Sequence, residues 1–217
     1  MKKENTKARR HKGCAKIFWT VMFLALPGWL AAIDEMTVYD LLQPDSHQFA
    51  IRYDTAATQA GSASYYNIIR PGSEASGEKV FDRGTGKELP FELADGKQAK
   101  KDGQADATTA DDTKFIRIRL AHPVPQNGEY RLRILKTYKD AKSYYTTTDS
   151  DIVFERSLGV KRNMILLPAG YEVVACSVPA MVDTLDGRVR ISMVNDRDDE
   201  LGVRIVGRRT PQPEEKK

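Results

Sequence analysis

The sequence predicts an all-β protein, an antiparallel β-sandwich of about a dozen strands built as one sandwich or two packed halves. Three observations carry that expectation. Apolar and polar residues alternate with a period of two in Phe49-Ala50-Ile51-Arg52-Tyr53, Ile116-Arg117-Ile118-Arg119-Leu120, Tyr130-Arg131-Leu132-Arg133-Ile134 and Val189-Arg190-Ile191-Ser192-Met193, as strands with one wet face require. Turn signals separate such runs at Arg70-Pro71-Gly72, Gly84-Thr85-Gly86, Asn127-Gly128, Pro168-Ala169-Gly170 and Asp186-Gly187, each a composition that bends the chain. No segment carries an apolar stripe of helical period over ten or more residues.

Residues 1–32 differ in kind from the rest. Lys2, Lys3, Lys7, Arg9, Arg10, Lys12 and Lys16 form a cationic head, Ile17 to Leu26 form an apolar run, and Pro27 and Gly28 interrupt it. That run is shorter than the roughly 20 apolar residues of an ordinary membrane span, and a basic head, short apolar stretch and small residues make an export signal. Cleavage after Ala32 is the expectation. Because Leu30 sits where a small residue is preferred, an uncleaved anchor through residues 17–32 is the alternative. His11-Lys12-Gly13 after Arg9-Arg10 makes a poor twin-arginine signal, and Cys14 precedes the apolar run and so is no lipobox cysteine.

Beyond the signal, strands are expected at 36–42, 49–53, 63–70, 78–82 and 88–93, then at 116–120 and 130–134, completing a first half over 33–140. A second half over 141–207 holds strands at 151–156, 162–167, 172–178, 189–193 and 201–207. Residues 94–113 contain no apolar side chain larger than Ala. They read as a mobile loop, unable to bury enough surface to offset the entropy of ordering. The tail 208–217, with Pro211 and Pro213, reads as disordered.

Composition narrows the function classes. The chain has 34 basic and 30 acidic residues, and the signal holds seven and one of these, leaving 27 against 29. The remaining charge gives no reason to expect nucleic acid as a partner. Residues 33–217 hold two histidines, His47 and His122, and one cysteine, Cys176. A lone cysteine permits no internal disulfide, so an exported chain must be held by its core. At 185 residues it can bury roughly 70% of its surface. Histidines 75 positions apart cannot form a His-Glu-x-x-His zinc motif, and no nucleophile elbow, phosphate loop or dinucleotide fingerprint appears. Neither a metal nor a cofactor is expected. Asp45-Ser46-His47 reads as a turn, since neighbours on an extended chain point apart, and Cys176 reads as a small buried residue rather than a nucleophile. Asp149-Ser150-Asp151 and Asp196 to Glu200 read as acidic turns, because the glycine-punctuated calcium loop is absent.

Two groups of residues are candidates for binding. Tyr65, Tyr66, Asn67, Arg70 and Glu74 bracket the Pro71-Gly72 bend, and amphipathic rings beside Arg, Glu and Asn suit a peptide or glycan surface. The plainer reading puts one tyrosine in the core and one on the surface. Arg117, Arg119, Arg131 and Arg133 lie on the polar faces of two successive strands. They form either a patch for an anionic ligand or a set interleaved with acids, since like charges opposite each other destabilise a sheet.

The run Phe115-Ile116-Arg117-Ile118-Arg119-Leu120, followed by Pro123-Val124-Pro125, Asn127-Gly128-Glu129 and Leu132-Arg133-Ile134 up to Tyr138, resembles the N-terminal β domain of M1-family aminopeptidases. The catalytic domain with its zinc motif is missing, so the resemblance implies a shared sandwich architecture and no activity. The stretch from Phe154 to Asn163 and from Leu167 to Glu172 resembles uncharacterised secreted bacterial β-sandwich proteins. Together these readings predict an exported, non-enzymatic binding or assembly module of the bacterial cell envelope, periplasmic or extracellular, whose partner is an envelope protein or glycan. The alternative is an envelope hydrolase, or its accessory domain, with a carboxylate site of unrecognised pattern. Contact with membrane is expected only through residues 17–32, if the signal is retained.

Overall fold

A computed structural model describes residues 35–211; the expected export segment and residues 212–217 lie outside the described residues. Alternation decides the architecture. In β1 (Met36–Leu41), β2 (Gln48–Ala57) and β7 (Tyr130–Lys139), every second side chain is buried, save the half-buried Tyr53, and the three pair into the middle of a seven-stranded sheet. β4 (Glu74–Asp82) closes one edge of that sheet, and β10 (Arg162–Leu166), β13 (Arg188–Val194) and β12 (Met181–Leu185) extend the other. All its ladders are antiparallel except the parallel pairing of β1 with β10.

Two smaller sheets complete the fold. One has the order β11 (Tyr171–Cys176), β14 (Leu201–Arg209), β9 (Ile152–Leu158) and β8 (Tyr144–Thr146). The other has the order β3 (Ser64–Ile68), β6 (Lys114–Arg119) and β5 (Phe91–Asp95). Leu41, Phe49, Leu132, Ile134, Ile165 and Ile191 of the large sheet share one core with Ile152, Phe154, Val203 and Ile205 of the second sheet and Ile116 and Ile118 of the third. The molecule is therefore a β-sandwich in which one layer is continuous and the other is divided. Phe49 lies fully buried among the rings of Tyr39, Tyr138 and Phe154, with centroids 5.5 to 6.1 Å away; burying a side chain of this size contributes about 1.5–3 kcal/mol.

Twelve expected strands are present, several of them longer than expected, and β8 and β12 are additional. Across residue 140, the boundary expected between the two halves, β1 from the first half pairs with β10 from the second, so the large sheet draws strands from both. Residues 94–113, expected as a mobile loop, carry a short helix, α1 (Gly96–Lys101). Asp95 caps it by accepting from the Gln98 amide (2.8 Å), and Ala99 is buried against Tyr66 and Phe115 in a satellite core. The Ala110 carbonyl oxygen lies 2.0 Å from where a Cβ on Gly96 would stand, so this packing needs glycine there. Tertiary contact thus replaces the large apolar anchors that the segment lacks. The tail is also ordered further than expected: β14 runs to Arg209, Arg208 forks onto Asp151 (2.7 and 2.9 Å), and Thr210 bonds Gly170. Among the described residues no helix is long and apolar enough to cross a membrane.

Candidate functional site

Where the two smaller sheets part, the inner face of the large sheet loses its cover. The result is a crevice of about 460 Å³. Its floor is Thr37, Tyr39, Ile51, Tyr53, Lys136 and Tyr138 from β1, β2 and β7; one wall is Asn67, Ile68, Arg70 and Pro71, and the other is Arg156, Ser157, Val160 and Glu200.

The bend that forms the first wall is built as its composition dictates. The Ser73 amide bonds the Arg70 carbonyl (3.1 Å), and Gly72 takes a φ of +84°, with Pro71 before it, which is a turn requiring glycine at its third position. The Arg70 amide donates to Tyr138 Oη (3.2 Å), and its guanidinium donates across the crevice to the Ser157 carbonyl (3.2 Å). Arg70 thus ties the three-stranded sheet's turn to β9 of the other small sheet.

Two cations lie deeper. Lys136 is 7% exposed; its Nζ donates to Asn67 Oδ1 (2.8 Å) and lies 4.8 Å from the centroid of the Tyr138 ring. Among the described residues no carboxylate is within ion-pair distance of it. Arg156 is 8% exposed and stands over the rings of Phe49, Tyr138 and Tyr39 at 5.4, 5.5 and 6.0 Å. It meets Asp140 through one nitrogen at 3.3 Å and Ser143 Oγ at 3.3 Å. Burial pulls the Arg156 guanidinium below its ordinary value, against the favourable influence of Tyr39, Tyr138 and Asp140. Burial would raise Asp140, but the Ser143 hydroxyl and amide, the Ser73 hydroxyl and the Lys142 amide outweigh it and hold the carboxyl low. Burial also raises the Tyr39 phenol, so the ring stays a neutral partner to Arg156.

Of the expected residues, Asn67 and Arg70 line this crevice, and Tyr65 packs against the core beneath β3 with its hydroxyl 3.4 Å from Thr55 Oγ1. Tyr66 lies on the other face of β3, where its hydroxyl donates to Asp102 (2.5 Å) and burial with that bond pushes its pKa up to about 12. Glu74 lines a different cleft, beyond the turn. The expected arginine patch is divided. Arg117 and Arg119 lie on the outer face of the three-stranded sheet, Arg131 and Arg133 on the outer face of the seven-stranded one, and the shared core separates the two faces. Acids interleave with them: Arg117 with Glu92 (2.7 Å), Arg131 with Glu129 (2.6 Å) and Arg133 with Asp54 (2.7 and 2.8 Å).

Sequence reasoning missed Lys136 and Arg156. Its signal was present: in the buried register Tyr130, Leu132, Ile134, Lys136, Tyr138 a cation stands where an apolar residue is due, and Ile152, Phe154, Arg156, Leu158 repeats the irregularity.

No protein-family model matches the chain, and no curated protein matches it. Among solved structures, it is similar to a mutant of the M1 zinc metallopeptidase from Deinococcus radiodurans, at 8% identity and a TM-score of 0.47, over 80% of this chain and 41% of that one. A two-domain M1 zinc metallopeptidase mutant bound to L-tryptophan gives 8% and 0.46 over the same shares, and a further structure of the Deinococcus radiodurans enzyme gives 7% and 0.46 over 80% and 40%. The chain spans about two-fifths of the length of these proteins. They belong to the family that residues 115–138 resemble, and at this identity the likeness concerns the fold alone.

Proposed function

We propose that this chain is an exported, non-enzymatic binding or assembly module of the bacterial cell envelope, and that an envelope protein or glycan enters the crevice with an anionic group. The reading of export rests on the cationic head and apolar run of residues 1–32. The reading of ligand rests on one observation: Arg70, Lys136 and Arg156 converge on a cavity whose lining includes a single carboxylate, Glu200. Like charges between low-dielectric walls focus their field on the space they share. Lys136, buried with a neutral hydrogen-bond partner, supports the reading most, because a desolvated ammonium is costly unless something of opposite charge completes it. A carboxylate or phosphate would do so, and Tyr53, half-buried on the floor, offers a ring with a polar tip to the ligand's apolar body.

Thermal shift tests this directly. The purified chain is titrated with inorganic phosphate, galacturonate and neutral galactose at constant ionic strength. At least one anion should raise Tm, since a ligand that binds only the folded state at 100 times its Kd adds about 2.7 kcal/mol. Galactose should not, and Lys136→Met should abolish the response. Equal shifts in the variant, or none with either anion, would refute the reading.

A further inference from the structure

A second cleft, of about 1180 Å³, lies between β4 and β5. Its origin is an interrupted hairpin. The Asp82 amide bonds Lys87 O (2.9 Å), the Leu89 amide bonds Val80 O (2.8 Å), and Phe81 bridges Glu88. Pro90 follows, and the chain swings away to pair with β6 instead of continuing along β4. Residues 74–79 and 91–95 are left as two diverging strand edges.

The register shows which backbone groups face the gap, because antiparallel strands exchange bonds at alternate residues. The Arg119 amide bonds Pro90 O (3.0 Å), so Glu92 and Ala94 are engaged with β6, and along the cleft the amide and carbonyl of Leu93 and the amide of Asp95 are turned to the open edge. On the opposite edge, the Asp140 amide bonds His47 O, so even-numbered residues of β7 serve β2 and odd-numbered ones serve β4. Glu74 and Ser76, opposite Lys139 and Thr137, are therefore engaged, and Ala75 points into the gap.

Leu93 supplies the independent observation. It lies on the same face of its sheet as core residue Ile116, its partner across the ladder, yet it is 72% exposed because the cleft opens beneath it. A core-facing leucine with open backbone groups on both sides of the gap is an unfilled strand position. The lining holds Glu74, Glu78, Glu92 and Asp95 against Lys97, Lys101, Lys114 and Arg117, with the three lysines gathered towards the end near Asp95.

We infer that this cleft binds an extended peptide from a partner protein as an added strand along β5, with alternate apolar residues packed on Leu93 and Ala75 and an acidic residue or carboxyl terminus at the lysine end. Main-chain bonds would supply affinity and the alternate side chains selectivity, as in other strand additions. The site is separate from the crevice of the proposed function and does not depend on it.

The test is a phage-displayed library of random decapeptides selected on the purified chain, with enriched sequences synthesised and titrated by fluorescence anisotropy. Leu93→Pro removes an amide that β6 does not use, and proline is tolerated on sheet edges; Leu93→Lys keeps the amide and removes the apolar contact. Enriched peptides should alternate apolar residues without proline, carry acid at one end, and bind either variant at least tenfold more weakly. Absence of enrichment overturns the inference. So do peptides that bind both variants as they bind the parent, or that respond to Lys136→Met instead.

Discussion

Arg117, Arg131 and Arg133 stand in the polar register of their strands, whereas Lys136 and Arg156 stand in the buried register of theirs. Each of the first three faces a carboxylate within 2.7 Å, and water reaches them. The second pair lies among tyrosine and phenylalanine rings, with long contacts to Asp140 and the Ser143 hydroxyl and one neutral amide for partners. Surface pairs of the first kind contribute about 0–1 kcal/mol, and screening weakens them further. Buried cations of the second kind are costly to desolvate and raise the question of what they serve. Abundance of arginine on a strand's wet face says little about function; a cation that breaks the apolar register says more.

The sharpest way to break this comparison is Arg156→Met. The substitution keeps a long, packable side chain but leaves Asp140 buried without its cation, and breaking a buried pair costs about 3–5 kcal/mol. Donation from Ser73, Ser143 and Lys142 persists, so a loss of about 3 kcal/mol is expected in urea denaturation. A loss below about 1 kcal/mol, the scale of surface pairs, would place Arg156 with them.

Much of the sandwich was legible because alternation is local: a strand announces its wet and dry faces within five residues. β12 was legible in hindsight, since the Asp186-Gly187 turn that leads into β13 needs a strand on its other side. β8, three residues long, gives no pattern to read. α1 was hidden because its stability comes from the Asp95 cap and the burial of Ala99, not from an apolar stripe. The crevice was half legible. The Pro71-Gly72 bend and Arg70 are sequence features, but the gap above Lys136 exists because two sheets do not join, and that depends on pairings such as β1 with β10, remote in sequence.

Lys136→Met should move stability the other way. Removing a buried ammonium relieves a desolvation penalty of several kcal/mol, while the orphaned Asn67 oxygen costs about 1–3 kcal/mol. A net gain of about 1 kcal/mol, read as a higher urea midpoint with unchanged slope, is expected. Destabilisation by more than about 1 kcal/mol would mark Lys136 as structural rather than as a site residue.

The smallest effect belongs to Arg133→Ala. Burial alone would raise Asp54, but the Arg133 fork outweighs it and the carboxyl sits below its ordinary value. A carboxylate lowered in the folded state contributes stability that is fully present above its unfolded pKa, near 4, and is lost as pH falls through the folded value. With the Arg133 side chain 38% exposed, solvent screens the pair, and the expected loss at pH 7 is about 1 kcal/mol or less, shrinking in high salt. Between pH 5 and pH 2 the parent should lose that margin, so its urea midpoint and the variant's converge. A gap that stays constant down to pH 2 would show that Arg133 acts by packing rather than by charge, and the contrast with the buried cations would then rest on Arg117 and Arg131.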